Sequence, residues 1–141
     1  MSNYVDALKA DQAESKAYYT SSVLRKTEQQ KALERLILAR NLQPEQVADI
    51  ACGGGGTVFY LGQLFPHAQY ILIDANEDAL EIAKQNTGHL QADCRIGDIY
   101  ALDLPADAFD LVICWQTLAA LKDARAALQE LVRICQPGGY I

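Results

Sequence analysis

"VADIACGGGGTVFYLGQLF", residues 47–65, sets four consecutive glycines between an apolar run and a segment with helical spacing. The opening "VADIA" is apolar apart from Asp49, as expected of a strand covered on both faces. Beyond the glycines, Val58, Leu61 and Leu64 share one helical face, and Pro66 stops the helix expected over 57–65. Strand, glycine loop and helix in that order put the loop at the C-terminal end of a strand. In open parallel sheets that end is where ligands bind. Free amides and the positive helix dipole suit a polar or anionic group there, and missing Cβ atoms let it come close.

The same alternation continues along the chain. "YILID", "CRI" and "FDLVICW" read as further strands, and helices are expected over 76–86 and 123–135. Asn76 is placed to cap the first of these, with Leu80 and Ala83 inward and Gly88 beyond its end. The second carries Leu128, Leu131, Val132 and Cys135, and Pro137-Gly138-Gly139 is expected to break it before "YI". Strands alternating with helices mean a parallel sheet with right-handed crossovers. The fold class is α/β, a doubly wound and mostly parallel sheet with N-terminal helices. Upstream, Thr27-Glu28-Gln29-Gln30 is a capping box, followed at helical spacing by Leu33, Leu36, Ile37 and Arg40, with Asn41 as the stop. Residues 2–20 are polar and alanine-rich and read as a looser helix, with Tyr18 and Tyr19 either packing it down or forming a lid. The expected organisation is an N-terminal helical cap (1–43) and an α/β domain (44–141).

Composition excludes several functions. Lys and Arg total 12 against 18 Asp and Glu, a net charge of −6, with no basic run to hold phosphates. Nucleic-acid and anionic-membrane partners are therefore not expected. No apolar run approaches the ~18 residues of a membrane span, and the polar start is no signal peptide, so a cytoplasmic location is expected. Cys52, Cys94, Cys114 and Cys135 form no CxxC pair and have no neighbouring His, so they read as reduced thiols with no metal.

The glycine run fails the GxGxxG dinucleotide fingerprint, because the third glycine position falls on Val58 or Phe59. It carries instead Asp49-x-Ala51-x-Gly53-x-Gly55, which resembles motif I of the class I S-adenosylmethionine-dependent methyltransferases. Ala51 replaces the usual first glycine and Gly54 stands where many relatives have Thr. "GDIYALDLPADAFDLVIC" and "LVRICQPGGYI" resemble later blocks of that family, and the likeness spans 47–141.

The resemblance implies S-adenosylmethionine as cofactor and S-adenosylhomocysteine as product. It implies a cofactor site made of Asp49, Ala51, Cys52, Gly53, Gly55, Asp74, Ala75, Asp98, Ile99, Cys114 and Trp115. Asp49 would orient the loop and the methionyl ammonium, Asp74 the ribose diol, Asp98 the adenine amino group, and Ile99 would meet the ring through its backbone. Asp74 alone does not separate this cofactor from NAD, whose sites use the same acid. Catalytic residues stay unassigned: where some relatives carry His-His, this chain has Ala119 and Ala120. Cys114-Trp115-Gln116-Thr117 replaces an Asn-Pro-Pro-Tyr block, which disfavours adenine or glutamine amino acceptors and leaves a small-molecule acceptor. The alternative is a non-catalytic module that binds S-adenosylmethionine. Family members continue through a fifth, sixth and seventh strand, whereas here the fifth is expected only at "YI". That predicts a truncated fold or one completed by a partner, with strand four near an edge and self-association through it.

Overall fold

Residues 12–141 are described by a computed structural model. Helix α1 (Gln12–Thr20) runs into a 3₁₀ turn (Ser21–Val23) and then α2 (Glu28–Ala39). Next come β1 (Gln46–Ile50), α3 (Gly56–Leu64), β2 (Gln69–Asp74), α4 (Glu77–Thr87) and β3 (Gln91–Ile96). The chain then crosses to β4 (Phe109–Ile113), a 3₁₀ turn (Leu118–Ala120), α5 (Ala124–Ile134) and β5 (Cys135–Tyr140). Of the helix expected over 2–20, residues 2–11 lie outside the described residues.

Local chemistry sets the helix starts. The Thr27 side chain accepts from the N–H of Gln30 while Gln30 accepts from the N–H of Thr27, so the capping box closes as expected. Asn76 caps α4 by accepting from the N–H groups of Asp78 and Ala79, and Asp123 caps α5 by accepting from Ala126. Asn41 ends α2 in the left-handed region that Asn tolerates (φ 52°).

The five strands form one parallel sheet in the order β3-β2-β1-β4-β5. Order reverses between β1 and β4, which pair through Val47↔Leu111 and Asp49↔Ile113. Crossovers diverge there and leave a crevice beyond the strand ends. Strand alternation divides the core. Val47, Tyr70, Leu72, Leu111 and Ile113 face Ile37, Val58 and Leu61, whereas Ala48, Ile50, Ile73 and Val112 face Leu131 and Ile134. Fully burying an aliphatic side chain of this size contributes roughly 1.5–3 kcal/mol, so each layer is held by several such residues.

Three expectations need correction. Leu64 is 38% exposed, because α3 turns Val58, Leu61 and Gly62 inward and Leu64 falls at its open end. In α5 the buried stripe is Ala127, Leu131 and Ile134; Leu128 (44%) and Val132 (56%) sit one position further round, in solvent. The fifth strand begins at Cys135 directly after α5, not at Tyr140. Cys135 pairs with Phe109 and Tyr140 with Leu111, so the Pro-Gly-Gly segment bulges within the strand. β4 therefore lies between two neighbours and is not an edge.

Candidate functional site

A cavity of about 930 Å³ opens at the C-terminal ends of β1 to β4. Each strand end contributes a turn to it. The end of β1 supplies Ala51 to Gly54, that of β2 Asp74 and Ala75, that of β3 Gly97 to Tyr100, and that of β4 Trp115 to Thr117. Tyr18, Tyr19 and the segment leading into α2 close the remaining wall.

The four glycines solve four different packing problems. A Cβ on Gly54 would collide with the backbone carbonyl of Tyr19 and lie 2.7 Å from Ser22 Oγ. One on Gly56 would collide with the carbonyl of Ser22. Gly55 (φ 75°) would meet Ala83 of α4 at 3.2 Å and Leu72 at 3.3 Å. Gly53 (φ 56°) faces the Tyr19 ring at 3.4 Å and is itself part of the cavity wall. The loop is thus clamped between α4 and the N-terminal segment. Asn86 reinforces this by donating to the Gly54 carbonyl (2.8 Å), and Tyr60 by donating to the Val23 carbonyl (2.7 Å).

Two further residues sit in the left-handed region although neither is Gly, Asn or Asp: Ala51 (φ 60°) and Gln116 (φ 55°). They end the adjacent strands β1 and β4, and both line the cavity. An L-residue held there costs roughly 1–2 kcal/mol. Strain of that size gathers where a turn must aim its backbone at a ligand.

Asp74 organises the cavity's centre. Its Oδ2 accepts from the N–H of Gly53 (2.8 Å) and its Oδ1 from the N–H of Asn76 (2.9 Å). One carboxylate therefore ties the glycine loop to the α4 cap while lining the cavity. Asp98 accepts from the N–H of Tyr100 (2.9 Å), which folds the turn after β3 back toward the site. Asp49 stands behind the loop, 2% exposed, and its Oδ2 has no hydrogen-bond partner. Burial, with the Asp74 charge adding to it, pushes the Asp49 carboxyl up to about 8. Burial likewise raises Cys52 well above the usual thiol range and Cys114 to about 11, and Asp49 contributes to both.

Of the residues expected from sequence, Ala51, Cys52, Gly53, Asp74, Ala75, Asp98, Ile99 and Trp115 line one cavity. Asp49, Gly55 and Cys114 do not line it; they lie behind its walls, Gly55 against α4 and Cys114 against the α5-side core. Tyr19 both packs on Ala79 and Ile82 and lines the cavity, so packing and lid roles coincide in one side chain. Sequence reading missed Thr57, Tyr100 and Arg25. The first two directly follow motif residues, and that adjacency was the available signal. Arg25, in the loop between the 3₁₀ turn and α2, carried none.

Residues 47–139 match the family model described as "Methyltransferase domain". This chain belongs to the methyltransferase-domain family. It is 30% identical over 106 residues to an uncharacterized methyltransferase of Schizosaccharomyces pombe, covering 69% of this chain and 38% of the relative. It is also 30% identical over 100 residues to the phthiotriol/phenolphthiotriol dimycocerosates methyltransferase of Mycobacterium tuberculosis, covering 71% of this chain and 37% of that one. The chain thus spans less than two-fifths of the length of these curated relatives. A crystal structure of a candidate S-adenosyl-L-methionine-dependent methyltransferase from Methanococcus maripaludis superposes with a TM-score of 0.79 at 20% identity. That likeness covers 92% of this chain and 61% of the other, a share that residues 44–141 alone could not supply. The shared fold therefore reaches into the N-terminal helices.

S-adenosylmethionine is the cofactor of this methyltransferase domain, and the residues present fit it. Directly behind the loop, the buried Asp49 Oδ2 is left without a hydrogen-bond partner, a polar atom that the positive charge of the cofactor would complement. Gly53 presents backbone where a side chain would fill the cavity wall, and Asp74 and Asp98 offer carboxylates to hydroxyl and amino donors.

Proposed function

We propose that this methyltransferase domain transfers a methyl group from S-adenosylmethionine to a small-molecule acceptor, as part of a cytoplasmic enzyme. The observation that carries this reading is the single cavity joining the glycine loop, Asp74 and Asp98 to a further wall of Tyr18, Tyr100 and Trp115. At about 930 Å³ it reaches the upper end of small-molecule sites, roughly 300–1,000 Å³, which leaves space for an acceptor beside a cofactor. When bound, the cofactor supplies a methyl group already activated on a sulfonium.

In this reading the chain's residues bind, orient and exclude water. Asp74 turns its carboxylate to the ribose diol, and Asp98 receives the adenine amino group while Ile99 presents its backbone to the ring. Asp49 holds the loop from behind and balances the methionyl ammonium. Tyr18, Tyr19 and Trp115 shield the reacting centre from solvent, so alignment and dehydration supply the rate. No His or Lys lines the cavity among the described residues. This suits an acceptor that is nucleophilic without help from a base. Within the expected N-terminal cap (1–43), the described residues 18–30 serve as the wall and clamp of the α/β domain (44–141). The phthiotriol and phenolphthiotriol dimycocerosates named for the Mycobacterium tuberculosis relative mark one chemical class to try first.

Incubation with methyl-labelled S-adenosylmethionine and a panel of hydroxylated and carboxylated small molecules tests the reading. Label should pass to an acceptor, and Asp74→Ala should lower kcat/KM about 10- to 100-fold through loss of charged hydrogen bonds. Tight cofactor binding with no transfer to any class would favour a non-catalytic binding module. Undiminished kcat/KM in folded Asp74→Ala would remove the ribose assignment.

A further inference from the structure

The turn after β3 is held at both ends. At its front the N–H of Gly97 donates to the Asp74 carbonyl (3.1 Å), and a Cβ on Gly97 would lie 2.6 Å from Ile73 Cγ2. Next, the N–H of Ala101 donates to the Asp98 carbonyl (3.0 Å) and that of Tyr100 to Asp98 Oδ1 (2.9 Å), so residues 98–101 form one tight turn. At its back stands an ion pair on α5. Glu130 and Arg133, at i,i+3 on one helix face, meet through Nε to Oε1 (2.7 Å) and Nη2 to Oε2 (2.9 Å). Arg133 also donates from Nη1 to the Leu104 carbonyl (2.8 Å) and from Nη2 to the Leu102 carbonyl (2.9 Å). Glu130 Oε2 accepts from the N–H of Leu102 (2.8 Å), so both backbone groups of Leu102 are taken by the pair. Leu102 and Leu104 also sink into the core beside α5, but apolar packing is non-directional, whereas a bidentate pair fixes the course of a backbone. Arg133 holds the Glu130 carboxyl below the usual carboxylate range, so the pair stays charged at neutral pH.

We propose that Glu130 and Arg133 are positioning residues for base selectivity: they hold the turn so that Asp98 meets the exocyclic amino group of adenine. Neither side chain lines the cavity, so they act through Asp98 and not by contact. The inference rests on the cofactor reading above, in which Asp98 faces the base. Loss of the pair should then relax the choice of base and spare the sugar and amino-acid ends, which other strand ends hold.

Calorimetry with S-adenosylhomocysteine and S-inosylhomocysteine, whose base carries an oxygen in place of the amino group, tests the proposal. Wild type should prefer the adenosyl compound about tenfold or more, through the charged hydrogen bond, and Asp98→Ala gives the preference left without that bond. Arg133→Lys cannot form the fork. It should lose most of the preference while binding S-inosylhomocysteine as wild type does. Glu130→Gln, which keeps an acceptor for the N–H of Leu102, should fall between the two. A preference unchanged in both variants, or both ligands weakened alike, overturns the proposal and leaves the pair a structural clamp only. Wild type that binds the two ligands equally removes the Asp98 assignment and this inference with it. Wild type that binds neither is a different result, which removes the cofactor reading itself.

Discussion

Gly54→Ala is expected to release the N-terminal segment from the glycine loop and to cost most of the cofactor affinity. One added methyl group would be driven into the Tyr19 carbonyl, a backbone atom on a segment also held by Tyr19 packing on Ala79 and Ile82. Nothing at that contact is a flexible side-chain end that could swing away cheaply. Overpacking of this kind costs roughly 1–3 kcal/mol, and more when backbone must move. Three readouts should change together: a lower melting temperature, faster tryptic cleavage after Arg25 or Lys26, and S-adenosylhomocysteine binding weakened by about tenfold or more. Gly53→Ala, whose Cβ would only touch the Tyr19 ring at 3.4 Å, should be milder in cleavage. Wild-type melting, cleavage and affinity in Gly54→Ala would show that the clamp is not needed.

Asp49→Asn should move stability and binding in opposite directions. The folded-state pKa of Asp49 is raised from 3.8 to about 8, so the fold favours its protonated form. That contribution is complete below about pH 4 and is lost as pH rises toward about 8, where the buried carboxyl is forced to ionise beside Asp74. Asparagine never ionises. The variant should therefore gain stability over wild type across this window, by on the order of 2–4 kcal/mol at its upper end, and show little difference near its lower end. Cofactor affinity should fall about tenfold or more, because the amide cannot balance an ammonium. Thermal melts of both proteins from about pH 4 to about 8, paired with calorimetry, check both halves. Equal stability throughout, or unchanged affinity, would contradict the role given to this carboxyl.

Much of the fold is legible because its signals are local and agree with one another. The capping box at Thr27, the Asn76 cap and the buried apolar strands each settle an element without distant information. The mixed sequence Cys135 to Tyr140 was not legible in that way. Pro-Gly-Gly reads as a break, yet pairing with Phe109 and Leu111 draws the flanking residues into the sheet and leaves the break as a bulge. Leu128 and Val132 show the limit of periodicity: seven apolar positions on one helix do not say which 100° arc meets the sheet. At the site, residues next to a motif inherit its position, whereas the N-terminal wall comes from a segment with no motif. The glycine run itself carried a half-readable message. Its lack of side chains announced a close approach, but what Gly54 and Gly56 approach with their missing Cβ atoms is Tyr19 and Ser22 of the same chain, even though both line the cavity beside Gly53.

The claim on which the rest depends is that S-adenosylmethionine occupies the crevice between β1 and β4, under the Tyr19 segment. Hydrogen exchange read by mass spectrometry, with and without saturating S-adenosylhomocysteine, tests it most directly. The account predicts protection concentrated in residues 51–57, 74–76, 97–101 and 114–117, with added protection over 18–25 as the clamp tightens on the loop. Protection confined to the outer face of α5 or α2, with those four strand-end turns exchanging as before, would contradict it.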